Sequence, residues 1–97
     1  MSGLRFERNP RKDRANQKKH GISFAEAKTV FLDEFARIID DPEHTEGEER
    51  FLMLGMSIGL RMLVVCHCLR GSDQVIRIIS ARRADASERK EYARYLP

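Results

Sequence analysis

Between residues 50 and 83 three runs rich in Val, Ile, Leu and Met follow one another across two glycine-bearing turns. That succession of strand-length segments predicts a β-meander. The runs are 50–56, 60–69 and 75–81, and residues 57–59 and 71–73 supply the turns. Side chains alternate across a strand, so Arg61, Leu63, Val65, His67 and Leu69 share one side of the second run, and Leu60, Met62, Val64, Cys66 and Cys68 share the other. Both sides are largely apolar, which predicts a central strand covered on both faces.

The polar residues of these strands are then expected to meet. With turns centred near Ser57-Ile58 and Gly71-Ser72, Arg50 lies opposite His67 and His67 opposite Arg77, a row of two guanidiniums flanking an imidazole. The same registers bring Arg61 near Arg82 and Arg83. A slip of one residue would turn any of these side chains to the other face, so the row depends on register as much as on residue type.

The remaining segments supply the cover. Residues 4–7 alternate briefly and could form a short edge strand. Asn9-Pro10 has the form of a helix cap followed by a proline at the first helical position, and Gly21 is placed to end that helix. Ser23 and Glu26 have capping-box spacing, and Phe24, Ala27, Phe31 and Phe35 follow as an apolar stripe for burial on the sheet. Residues 36–40 alternate as a further strand, which Asp41-Pro42 ends. Asp85 and Glu88 repeat the cap for a last helix reaching about Tyr95, with Tyr92 and Leu96 as its apolar contact. This order predicts one α+β domain over residues 1–97: a mostly antiparallel sheet ending in a three-strand meander, with two N-terminal helices and one C-terminal helix on one face.

Net charge is +3, but the sum hides a pattern. Residues 1–20 carry seven Lys/Arg against two Asp/Glu, residues 21–49 two against nine, and residues 50–97 nine against four. A fold joining the two basic segments would present a cationic surface suited to a polyanion. No stretch approaches the ~20 apolar residues of a membrane span, and Arg5, Glu7 and Arg8 stand where a secretory signal would be apolar, so a cytoplasmic location is expected. Cys66 and Cys68, two apart on one strand face, suit small buried hydrophobes better than a disulfide or a thiolate metal site. The acidic stretch 42–49 matches no hard-metal loop, and no metal or cofactor is expected. His44 or Glu48, just before Arg50, could instead reach the basic row and move a proton.

Cleaving RNA without a metal requires a group to take the 2′-hydroxyl proton, cations for the charge that develops on phosphorus, and an acid for the leaving oxygen. The arginine fork donates two hydrogen bonds to a phosphate and stays charged at any working pH, and histidine titrates near neutrality. Arg50, Arg77, Arg82 and His67 would fill these roles if they converge. A non-catalytic basic module, acting as a co-repressor subunit through its partner, is the competing expectation.

Several separated blocks carry a more specific signal: Asn9-Pro10; Lys19-His20-Gly21-Ile22-Ser23-Phe24 with Glu26-Ala27; the continuous stretch 41–51, from Asp41-Pro42-Glu43-His44 to Arg50-Phe51; and 76–82 with Glu88-Arg89 and Tyr92. Together they resemble the BrnT toxin family of type II toxin–antitoxin systems, nearly end to end. The resemblance implies a RelE-like fold and a cytosolic ribonuclease that stops translation. It also implies neutralisation by a BrnA-type antitoxin whose ribbon-helix-helix domain binds operator DNA, in a heterotetramer of two toxins and two antitoxins. Matching the blocks residue by residue implies Lys19, His20, His44, Glu48, Arg50, Arg77 and Arg82 as functional. With the residues read from the strands, the expected catalytic set is Arg50, Arg77, Arg82, His67, His44 and Glu48, with Lys19, His20, Arg61 and Arg83 on the RNA.

Overall fold

A computed structural model describes residues 3–41, 49–72 and 74–97. Helix α1 (Pro10–His20) starts where the Asn9 side chain accepts the Lys12 N–H at 3.1 Å. It stops at Gly21, whose φ of 72° lets its N–H reach back to the Gln17 carbonyl, a conformation that a Cβ would disfavour. Helix α2 (Phe24–Thr29) starts at Ser23, whose hydroxyl accepts the Glu26 N–H at 3.0 Å. The expected capping box is only half made, because the Glu26 carboxylate turns to Arg61 and Ser57 instead. Thr29 is followed by a 3₁₀ turn, Val30–Leu32.

Strands β1 (Arg37–Ile39), β2 (Phe51–Met56), β3 (Met62–Arg70) and β4 (Val75–Arg83) form one antiparallel sheet in chain order, so the meander is present as expected. Helix α3 (Ala86–Ala93) follows, and here the capping box of Asp85 and Glu88 is complete. The edge strand expected at 4–7 reduces to one parallel bridge, Phe6 to Ile76, held by two backbone hydrogen bonds of 2.8 Å. Farther along the same edge of β4 the Asn16 amide closes the ladder, donating to the Ala81 carbonyl at 2.9 Å and accepting the Ala81 N–H at 3.0 Å.

The helices lie on both faces of the sheet, which corrects the expectation of helices on one face and agrees with the two covered sides expected of β3. On the first face Leu63, Val65, Ile76, Ile78 and Ala81 pack under Ile22, Phe24, Ala27 and Val30, from the link after α1, from α2 and from the 3₁₀ turn. On the second face Leu52, Leu54, Val64 and Cys66 pack with Ala84 and Tyr92, the latter from α3. The physical reason lies in β3: Leu63 and Val65 on one side and Val64 on the other are at most 2% exposed. Leaving either side wet would forfeit about 1.5–3 kcal/mol per such side chain. The chain turns over at Ala84 and lays α3 across the second face, where the Tyr92 hydroxyl reaches Asp33 Oδ2 at 2.8 Å and Arg37 stacks 3.3 Å from the Tyr95 ring centre. Phe35, expected in the α2 stripe, belongs to this second layer, while Leu96 stays exposed. Close packing also explains Gly55, where a Cβ would stand 2.8 Å from Val30 Cγ1 and 3.0 Å from the Ala36 Cβ.

The register differs from expectation by one residue at each hairpin. The first turn closes with Ser57 N–H on the Arg61 carbonyl and is centred on Gly59, so Phe51, not Arg50, pairs with His67. At the second hairpin Cys68 pairs with Arg77, and His67 with Ile78. A bulge then lets Cys66 pair with Ser80, so that Ile79 is the extra residue on β4.

Candidate active site

These registers sort the expected site residues between the two faces. Val64 and Cys66 belong to the second layer, and by alternation so does Cys68. Arg77 stands opposite Cys68, Arg82 opposite Val64, and Arg50, one residue before β2, continues toward Cys68. Arg50, Arg77 and Arg82 therefore share the second face. Beside α3, which covers only part of it, an open groove of about 300 Å³ is walled by Arg50, Asp41 and Arg82 and floored by Leu52, Val64, Cys66 and Ile79. Ser80 completes the lining.

Each arginine has a carboxylate companion, and the pairs differ in tightness. Arg82 makes a forked contact with Glu88, Nη1 to Oε1 at 2.8 Å and Nη2 to Oε2 at 2.9 Å, which ties the groove wall to the first turn of α3. Arg50 Nη2 stands 3.9 Å from Asp41 Oδ2, beyond hydrogen-bond length. Elsewhere on this face Arg77 Nε lies 3.6 Å from Glu7 Oε2, and Glu7 is shared with Arg70 at 3.7 Å. An incoming phosphate competes with weakly held carboxylates far more readily than with a forked pair. Arg77 is thus better placed than Arg82 to exchange its partner for substrate.

His67 falls on the opposite face, which corrects the expected row. It is 4% exposed, edge-on to Phe31 at 4.9 Å and tilted against Phe51 at 5.8 Å, with Nδ1 3.2 Å from the Val65 carbonyl. Burial pushes its imidazole below the ordinary value, more than the Val65 contact raises it. A neutral imidazole packed between aromatics on the far side of the sheet cannot flank the guanidiniums. Arg61 and Arg83 also lie away from the groove. Arg61 pairs with Glu26 through Nε at 2.9 Å and through Nη2, and Arg83 is close enough to Glu26 to act on its charge. Lys19 and His20 sit in the last turn of α1. His44 and Glu48 lie outside the described residues. Among the described residues no three His, Cys, Asp or Glu side chains gather as a metal site would require.

Sequence reasoning missed Asp41 and Glu88. Asp41 reads as the end of a strand and Glu88 as half of a helix cap; both also stand in the blocks that carry the family resemblance, but neither pattern signals a position beside an arginine remote in the chain.

Among the described residues three carboxylates, Glu26, Asp33 and Glu88, are held below the ordinary range. For Glu88 the largest cause is the Arg82 contact, and for Glu26 it is the Arg61 contact, each exceeding the opposing effect of burial. For Asp33 burial is the largest single influence and pushes upward, but the Met56 and Phe35 N–H groups and the Tyr92 hydroxyl together outweigh it. Tyr92 is pushed up to about 12 by burial and by Asp33. A carboxyl with a lower pKa in the folded chain binds fewer protons there, so its stabilisation is present above an unfolded value of about 4 and is lost as pH falls. Denaturant midpoints should hold from pH 7 to about pH 5 and drop between about pH 5 and pH 2. In Asp33→Asn the drop should be shallower, because one of three linked groups is gone.

A four-stranded antiparallel sheet braced by helices on both faces, with Arg50, Arg77 and Arg82 over one of them, makes this a small α+β domain. A family model described as "Ribonuclease toxin, BrnT, of type II toxin-antitoxin system" matches residues 9–88. The chain belongs to the BrnT ribonuclease toxin family. Among solved structures it is similar to the Brucella abortus ribonuclease toxin BrnT, with a TM-score of 0.64 at 22% identity, over 86% of this chain and 99% of that one. At that identity the likeness speaks for the fold alone. No curated protein matches the sequence. Among the described residues no helix is long and apolar enough to cross a membrane. Membership in a type II system implies an antitoxin partner.

Proposed function

We propose that this protein is an endoribonuclease toxin that cleaves RNA without a metal, through a 2′,3′-cyclic phosphate, and so inhibits translation in the cytosol. The observation that carries this reading is the convergence of Arg50, Arg77 and Arg82 on one sheet face, with an open groove between Arg50 and Arg82. Guanidiniums supply the positive charge that the pentacoordinate phosphorus requires, and an apolar floor of Leu52, Val64 and Ile79 offers a surface to an unpaired base. Arg50 and Arg77 act on the scissile phosphate, and Arg82, held by Glu88, fixes the groove wall. Lys19 and His20, at the end of α1, serve the RNA backbone beyond the groove. Within this reading the fold is RelE-like. The partner is a BrnA-type ribbon-helix-helix antitoxin, two of which join two toxins and contact operator DNA on their behalf.

Purified protein should cut single-stranded RNA in EDTA and leave cyclic phosphate ends, and its induced expression should arrest growth. Cleavage that appears only when a divalent ion is added would refute the chemistry. Binding of RNA or antitoxin with no cleavage at any protein concentration would favour a non-catalytic module.

A further inference from the structure

The geometry points to the outer side of α1 as a track for the sugar-phosphate backbone of RNA that extends past the groove. The choice of RNA rests on the ribonuclease reading above; the cationic surface itself does not depend on it. Asn16 is the buried residue of α1, and it holds the helix along the edge of β4 at Ala81. At 3.6 residues per turn Arg14, Lys18 and Arg11 lie farthest round from Asn16, with Lys19 and Lys12 following on one flank, so five cations fall within roughly 160° of the circumference. Asp13 falls on the other flank and serves the scaffold, where its Oδ1 accepts the Gln17 side-chain N–H at 3.0 Å and the Phe24 N–H at 2.9 Å.

Helix stability does not account for these charges. Arg61, Arg70, Arg77 and Arg82 each stand beside a carboxylate, whereas among the described residues the five cations of α1 make no ion pair. Arg11, Arg14, Lys18 and Lys19 are exposed. Lys18 and Lys19 complement the negative end of the helix, but Arg11 and Lys12 occupy its first turn, the positive end, where a cation is unfavourable. Arg11 with Arg14, and Arg14 with Lys18, also place like charges three and four residues apart, the spacing at which side chains meet and repel. A phosphate backbone laid along the helix relieves both repulsions.

The placement suits a strand that also enters the groove. Ser80 and Arg82, the neighbours of Ala81 on β4, line the groove, so a strand leaving it over that edge meets α1. The row of Arg11, Arg14 and Lys18 spans roughly 10 Å along the helix axis, against ~3.4 Å between phosphates on one strand of a duplex, so it reaches more than one phosphate. Contacts of this kind position a strand and carry no base preference. They add affinity as the strand lengthens.

The test measures binding of uncleavable 2′-O-methyl oligonucleotides, one of about 4 and one of about 12 nucleotides, from about 50 to about 300 mM salt. Arg11→Gln, Arg14→Gln and Lys18→Gln combined should weaken the longer strand about tenfold at about 0.1 M salt. The slope of log affinity against log salt should become shallower by about 2, at ~0.7 for each charge on a single strand. The shorter strand should lose less than about threefold, and Arg11→Lys with Arg14→Lys should keep the wild-type slope, because the contact reads charge. Thermal melting checks that each variant is folded. An unchanged slope in the folded triple variant, beside a wild type that cuts RNA, overturns the track and leaves the ribonuclease reading standing. A slope that falls for duplex DNA and not for RNA overturns it as well. A wild type that cuts no RNA, with the slope for RNA still falling by about 2 in the variant, removes the ribonuclease reading and upholds the track.

Discussion

Arg50→Ala is expected to lower the rate of RNA cleavage by about two to three decades, the cost of removing one preorganised donor from a developing oxyanion. Arg50 is singled out because it walls the groove, facing Arg82 across an apolar floor. The forked contact to Glu88 ties Arg82 to the first turn of α3. Arg50→Lys keeps the charge but loses the planar fork, so it should recover only part of the rate. Arg61→Ala is the control: its guanidinium ties the turn before β3 to Glu26 of α2, and its loss should act on stability while leaving the rate per folded molecule near wild type. Initial rates in EDTA, normalised to the folded fraction from melting curves, decide the matter. Equal losses for Arg50→Ala and Arg61→Ala would remove the groove from the mechanism.

The second large effect is on stability. Asn16, 6% exposed on the inner side of α1, donates to the Ile22 carbonyl at 2.8 Å and makes the paired contacts that close β4 at Ala81. Asn16→Ala would strand one buried N–H and two carbonyls, at about 1–3 kcal/mol for each group left without a partner. A total of about 3 kcal/mol corresponds to a melting temperature lower by roughly 12–20 °C for a domain of this size. Asn16→Asp keeps the acceptor for the Ala81 N–H but faces both carbonyls with an anion, so it should be at least as damaging. A shift below about 3 °C for either variant would show that water or a rearranged edge replaces the amide.

The helix ends were legible because a cap is a contact between residues three or four apart. Asn9, Gly21, Asp85 and Glu88 perform the roles their spacing predicts. Where a tertiary partner competes, the local rule yields, as at Glu26, whose carboxylate goes to Arg61 rather than back to the start of its own helix. The central position of β3 was legible from its two apolar sides, and that same property concealed its register. A strand with one polar side resists a one-residue slip, because the slip would bury that side; β3 carries no such mark.

The candidate site divides in the same way. Moving β3 by one residue relative to both neighbours leaves Arg50 and Arg77 aligned with each other and sends His67 to the opposite face. Arg77 and Arg82 are five positions apart and would point to opposite sides of a regular strand; the extra residue at Ile79 brings them to the same one. Asp41 enters the groove through the pairing of β1 with β2.

The residues alone determined the elements, their ends, the apolar character of both sides of β3 and the spaced blocks that mark the family, because all of these are local in the chain or additive along it. Packing decided which side chains meet. A strand presents every second residue to a given face, so a turn centred one residue later and a single bulge choose which charges gather over the groove, and those choices follow from how the layers fit together.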